Sequence, residues 1–124
     1  MSWRSSRPGR LSGSWPSPLR VTHAYVALLL VDLHFPDAGS LKAKRKDVQS
    51  VKAQLHGRLG AAVAEVDGQD TWQRTTLSVA LTSGSAHELD RAADRVERYV
   101  IDRFPDTASV RRYLVSSEDL GALG

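Results

Sequence analysis

The 124-residue chain contains no cysteine. That excludes a disulfide framework, a thiolate zinc or iron-sulfur site and a thiol nucleophile. Long hydrophobic runs are missing too: the longest, Ala24 to Val31, has eight residues, where a membrane helix needs about 20. No G-x-G-x-x-G or Walker A segment occurs, so a nucleotide pocket has no support. Aromatic residues make up only 6%. What is present is ordinary. With 41% hydrophobic and 25% charged residues, the composition is that of a folded globular protein, and the length holds one domain of roughly 100–200 residues rather than two. A cytoplasmic protein with no membrane association is expected.

The 17 basic and 14 acidic residues leave a formal charge of +3, and their distribution matters more than the sum. Arg4, Arg7, Arg10 and Arg20 fall in residues 1–20 with no acid, which leaves 13 basic against 14 acidic residues in 21–124. The first segment is rich in Ser, Gly and Pro, with Trp3 and Trp15 interspersed and no periodic pattern, the signature of a disordered basic tail. It lacks the apolar stretch of roughly 7–15 residues that a secretory signal requires. Two readings stand: a flexible arm that adds non-specific polyanion affinity, or translation from an upstream start codon with no role.

Val21 to Phe35 alternates, with Val21, Tyr25, Ala27, Leu29, Val31, Leu33 and Phe35 on one parity, which predicts a strand packed on a core. Pro36, Asp37 and Gly39 break it. Ser40 is suited to cap a helix whose apolar stripe is Leu41, Val48, Val51, Leu55 and Leu59, closed by Gly57 or Gly60. Strand-like runs over Ala61 to Val66 and Thr71 to Thr82 flank Asp67-Gly68-Gln69-Asp70, a hairpin signal. Ser85-Ala86-His87-Glu88 forms a capping box ahead of a second helix with the stripe Leu89, Ala92, Ala93, Val96, Tyr99 and Val100, ended by Pro105. Its outer surface sets Asp94 against Arg98 and Arg91 against Asp94, an ion-paired solvated face. Thr107 to Val115 is a last strand of unassigned facing, because Arg111 interrupts one parity and Arg112 the other.

The order β-α-β-β-α-β is the split βαβ, or ferredoxin-like, plan of the α+β class. It predicts a four-stranded antiparallel sheet with two helices on one face, strands one and three central, four beside one and two beside three. The domain is expected over 21–117, with a flexible C-terminus at 118–124.

This plan gathers polar residues at one end of the sheet. Asp32, His34, Glu65, Trp72 and Arg74 are expected together on the face without helices, with Asp70 in the adjoining turn. The loop into the first helix brings Ser40, Lys42, Lys44 and Arg45 to the rim. That helix opens with Lys42, Lys44, Arg45 and Lys46, where its dipole favours acids. An anion bound at the helix N-terminus accounts for such placement. The alternative is Lys44 paired with Asp47 or Glu65 and the other side chains solvated.

The segments Leu33-His34-Phe35-Pro36, Ser40-Leu41-Lys42-Ala43-Lys44-Arg45, Val63-Ala64-Glu65-Val66 and Asp70-Thr71-Trp72-Gln73-Arg74, in that order and spacing, resemble the YlxP-like family of small bacterial proteins of unknown function. The resemblance spans residues 22–117. It implies a ferredoxin-like fold and, in many bacteria, a gene placed among those for a translation initiation factor and a ribosome-binding factor; it implies no established activity. Family members begin at the first strand and usually carry Phe-Asn where this chain has Leu59-Gly60, so the arginine-bearing segment lies outside anything the family implies.

Chemistry beyond binding finds few footholds. Asp32 and His34 have the spacing of a base and its orienter, with no Ser or Thr placed as nucleophile. Glu65, Asp67, Asp70 and His34 offer oxygen and nitrogen donors, yet no paired-His or EF-hand spacing exists, and Arg74 and Lys44 give these acids a simpler role as ion-pair partners. No catalytic residue, metal or cofactor is assigned. Trp72 beside Arg74 could stack a base while lysines and arginines hold phosphates, although the aromatic-rich RNP1 pattern is absent. Ala24, Val26, Leu28 and Leu30 give the open sheet face an apolar stripe, as two sheets packed in a homodimer require. His23, His56 and His87 read as solvated. The expectation is a non-enzymatic protein that binds RNA or the ribosome through Lys42, Lys44, Arg45, Trp72 and Arg74, supported by Asp32, His34, Ser40, Glu65 and Asp70. The alternatives are a dimeric interaction module and a small enzyme using His34 and Asp32, and the fold does not separate them.

Overall fold

The computed structural model describes residues 23–36, 39–68 and 73–121. The expected tail at 1–20, Asp70 and Trp72 therefore lie outside the described residues. The first strand, β1 (Tyr25–His34), follows its alternation: Ala27, Leu29, Val31 and Leu33 are fully buried, and the even positions face the other way. The remaining elements are α1 (Leu41–Leu59), β2 (Ala62–Asp67), β3 (Arg74–Ser83), α2 (Ala86–Arg103), β4 (Ala108–Ser116) and α3 (Ser117–Gly121). The sheet order is β2-β3-β1-β4, antiparallel throughout.

Both long helices start where a side-chain oxygen takes an otherwise unpaired backbone N–H. Ser40 Oγ accepts from Ala43 N at 3.1 Å, and Ser85 Oγ accepts from Glu88 N at 3.2 Å. Gly60 closes α1 at φ 68°, the left-handed conformation that glycine adopts without steric cost. Gly57 lies inside the helix instead. The inward stripe of α1 is Lys44, Val48, Val51 and Leu55, so the row expected to begin at Leu41 begins one turn later, and Leu41 is 39% exposed. Leu89, Ala93, Val96 and Val100 of α2 join these residues and Leu77, Val79 and Leu81 of β3 in one core, where each fully buried Val or Leu contributes about 1.5–3 kcal/mol. Phe35 and Phe104 close one end of it edge to face, 5.5 Å between ring centroids.

The register of β4 resolves its facing. Val110 lies opposite Val31 and Arg112 opposite Leu29, which puts Arg112 on the helix side of the sheet. An arginine is tolerated there because α2 supplies three carboxylates: the guanidinium donates to Asp90 at 3.1 Å and to Asp94 and Glu97 at 2.9 Å each. Burial opposes its charge, but Asp94 and Glu97 outweigh that and hold its pKa above the usual arginine value. Asp94 is thus committed to Arg112 rather than to Arg98 or Arg91.

Two further features depart from the alternating pattern. Residues 118–121, part of the segment expected to be flexible, belong to the short α3, capped by a reciprocal pair in which Ser116 N donates to Asp119 Oδ2 at 2.9 Å and Asp119 N donates to Ser116 Oγ at 3.2 Å. In the edge strand β2, a register shift between Glu65 and Asp67 marks a bulge. Among the described residues no helix is long and apolar enough to cross a membrane.

Candidate functional site

The basic start of α1 divides into residues that serve the fold and residues that do not. Lys44 falls in the inward stripe, four residues before Val48, and is 0% exposed. Its ammonium donates to the carbonyl oxygens of Gly68 at 2.5 Å and of Arg74 at 3.0 Å, tying α1 to both ends of the β2–β3 connection. Lys44 is therefore not at the rim, and an outside anion does not reach it. Gly68 is shaped for this junction: it has φ 82°, and a Cβ there would stand 2.7 Å from Arg74 O and 2.9 Å from the Thr75 Cα.

Glu65 also sits elsewhere than expected. It lies opposite Leu77, a core residue, so its side chain faces the helices and not the open face. The one-residue difference in parity is decided by Val63 packing inward and Val66 turning out at 51% exposure. There Arg45 binds it bidentately, at 2.7 and 3.1 Å, and Lys52 approaches to 3.5 Å. Burial raises the carboxyl pKa, but the hydrogen bonds and charge of Arg45, helped by Lys52, outweigh it and hold it below the ordinary value. Arg45 is thus largely neutralised within the chain.

On the open face the structure brings together Asp32, His34 and Arg74. His34 and Arg74 are direct partners across β1 and β3. Asp32 Oδ1 accepts from Thr76 Oγ1 at 2.6 Å, a partner the sequence pattern does not announce, although Thr76 lies directly opposite Asp32 in the β1–β3 register. The carboxylate is engaged with this hydroxyl and does not orient His34, which argues against a base-and-orienter pair. Ser40 is spent on the helix cap. Lys42, Lys46 and Arg74 are exposed, and their side chains make no hydrogen bond or ion pair among the described residues. A depression of about 320 Å³ is lined by His34, Phe35, Ala43, Asp47 and Phe104, and none of the three cations lines it.

The comparisons with known proteins agree with this architecture. A 70-residue stretch is 36% identical to the uncharacterized protein YlxP of Bacillus subtilis (strain 168), covering 56% of this chain and 75% of that protein. Among solved structures, the de novo designed protein Foldit4 superposes with a TM-score of 0.50 at 10% identity, covering 74% of this chain and 96% of the design. That likeness speaks for the fold alone. The family model described as "Protein of unknown function (DUF503)" matches residues 26–112, most of the described domain, and the chain belongs to that family.

Proposed function

We propose that this protein is a non-enzymatic cytoplasmic binding protein, one domain over 21–117, whose partner is RNA or an RNA-bearing surface of the ribosome. The binding surface begins at Lys42, Lys46 and Arg74, with Trp72 as the stacking residue. Lys44 and Arg45, which the sequence groups with them, serve the fold. The supporting observation is that among the described residues these three cations have no partner while their neighbours Lys44 and Arg45 are satisfied; α1 also has no acid in its first turn. Fluorescence anisotropy of a labelled single-stranded RNA over a salt series tests the reading. Removing one phosphate-binding cation should weaken binding about fivefold at 0.1 M salt. Lys42→Glu/Lys46→Glu and Arg74→Glu proteins that bind as the wild type does would remove this site.

A second reading has its own support. The open face carries Val26, Leu28 and Leu30 of β1, Ser78 and Ala80 of β3 and Tyr113 and Val115 of β4, with Arg111 beside Leu30 as the charged residue among them and no helix over it among the described residues. A second copy packed sheet to sheet covers it symmetrically. Light scattering on the wild type and on Leu28→Glu distinguishes a dimer that dissociates from a chain that is monomeric in both forms.

A further inference from the structure

We propose that the surface along α2, from its groove with the end of α1 to the end of β3, is a phosphate-binding track for single-stranded RNA, an inference that rests on the RNA reading above and adds the helical face to the binding surface. The exposed charges of α2 are sorted by side. Asp90, Asp94 and Glu97, spaced four and three residues apart, all turn to β4 and are gathered by Arg112. Arg91, Arg95 and Arg98 repeat the same spacing on the adjacent row; Arg95 and Arg98 border α1, Arg91 lies toward the end of β3, and Arg98 also adjoins Asp94 and Glu97. With the acids committed elsewhere, none of these three arginines forms a hydrogen bond or ion pair among the described residues.

The geometry joins them into a line. Arg58 of α1 lines a depression of about 240 Å³ together with Arg95, Arg98, Tyr99 and Asp102. Arg91 and Arg95 line the next depression along α2, about 600 Å³, with His87 and Glu88. Arg95 belongs to both, so the track is continuous, and Arg91 and Arg98 lie about 10 Å apart along the helix axis. In these two depressions four guanidinium groups meet two acids, Glu88 and Asp102, while Arg98 also borders Asp94 and Glu97, which Arg112 holds. The position of Arg58 in the last turn of α1 suits the helix dipole, but Arg91, Arg95 and Arg98 are in mid-helix, where no dipole accounts for them. Arg103, itself exposed, donates to the Tyr99 hydroxyl at 2.8 Å and to Ser50 Oγ at 3.2 Å, linking the two helices. Guanidinium forks match phosphate oxygens. The open sheet face is on the opposite side, so a sheet-to-sheet dimer leaves both tracks outward.

The test uses the full chain and a fluorescein-labelled 20-nucleotide oligouridine. Arg95→Ala/Arg98→Ala removes two phosphate-binding groups, which at about 0.7 in the salt slope per single-strand phosphate means roughly 25-fold weaker binding at 0.1 M salt and a slope shallower by about 1.4. Arg95→Lys/Arg98→Lys should retain most of the slope. Arg58→Ala/Arg91→Ala, at separate positions in the same track, should weaken binding to the same degree. Groove variants that keep the wild-type affinity and slope overturn the track. If Lys42→Glu/Lys46→Glu weakens binding in that same experiment, the RNA reading survives without it. A wild-type chain that binds no oligouridine at any salt overturns both.

Discussion

Replacing Lys44 with methionine isolates what its ammonium does, because the side chain keeps its length and apolar stem while the charge and donors go. The acceptors are the backbone carbonyls of Gly68 and Arg74, which no substitution can remove. The usual compensation, in which a buried polar pair is replaced by an apolar one at little cost, is therefore closed off. Each hydrogen bond from a charged donor is worth about 1.5–3 kcal/mol; dehydrating the ammonium no longer opposes folding, so the net destabilisation is about 3 kcal/mol. In a domain near 100 residues that lowers Tm by roughly 12–24 °C, a large share of a total stability of about 5–15 kcal/mol. Thermal and urea melts followed by circular dichroism give the comparison, with exposed Lys46→Met as a control expected within about 0.5 kcal/mol of wild type. A fall in Tm for Lys44→Met of less than about 4 °C would refute the assignment of Lys44 as a structural tie.

Gly68→Ala should destabilise by about 2–4 kcal/mol, since the left-handed conformation and the approach to the Arg74 backbone both reject a Cβ; Gly84→Ala, with nothing within 4 Å, should be close to neutral, and equal melting points for the two variants would contradict the close packing. The depressed pKa of Glu65 makes stability pH-dependent in a stated direction: its contribution is complete above the ordinary value near 4.5 and disappears as pH falls through the lower folded value. Denaturation midpoints for wild type and Glu65→Gln should therefore differ at pH 7 and draw together as pH falls below 4.5, and equal midpoints at pH 7 would show that the Arg45 pair contributes nothing.

Sequence signals are legible where the interaction behind them is local. The β1 alternation, the serine caps of both long helices and the Pro105 stop each depend on residues within a few positions, and they placed the elements and the sheet order. The site was less legible because its partners are distant in sequence. Lys44 meets carbonyls 24 and 30 residues away; reading the spacing from Val48, Val51 and Leu55 backwards by four would have put it in the buried row. Glu65 turned on a single-residue parity in a short edge strand with a bulge. Arg112 looked like an interruption of β4 until α2, 15 to 22 residues earlier, was seen to hold its three acids, and the same long-range pairing dissolved the Asp94–Arg98 pair that adjacency on one helix had indicated.

The irregularity in β2 bears on how copies of the chain can meet. An outer strand with an unbroken ladder invites another chain to extend the sheet sideways, and repetition of that pairing grows ribbons without limit. The extra residue between Glu65 and Asp67 skews the row of donors and acceptors on that side, so a newcomer finds mismatched spacing after a few residues. Concentrated preparations should accordingly not lengthen into fibres from that side.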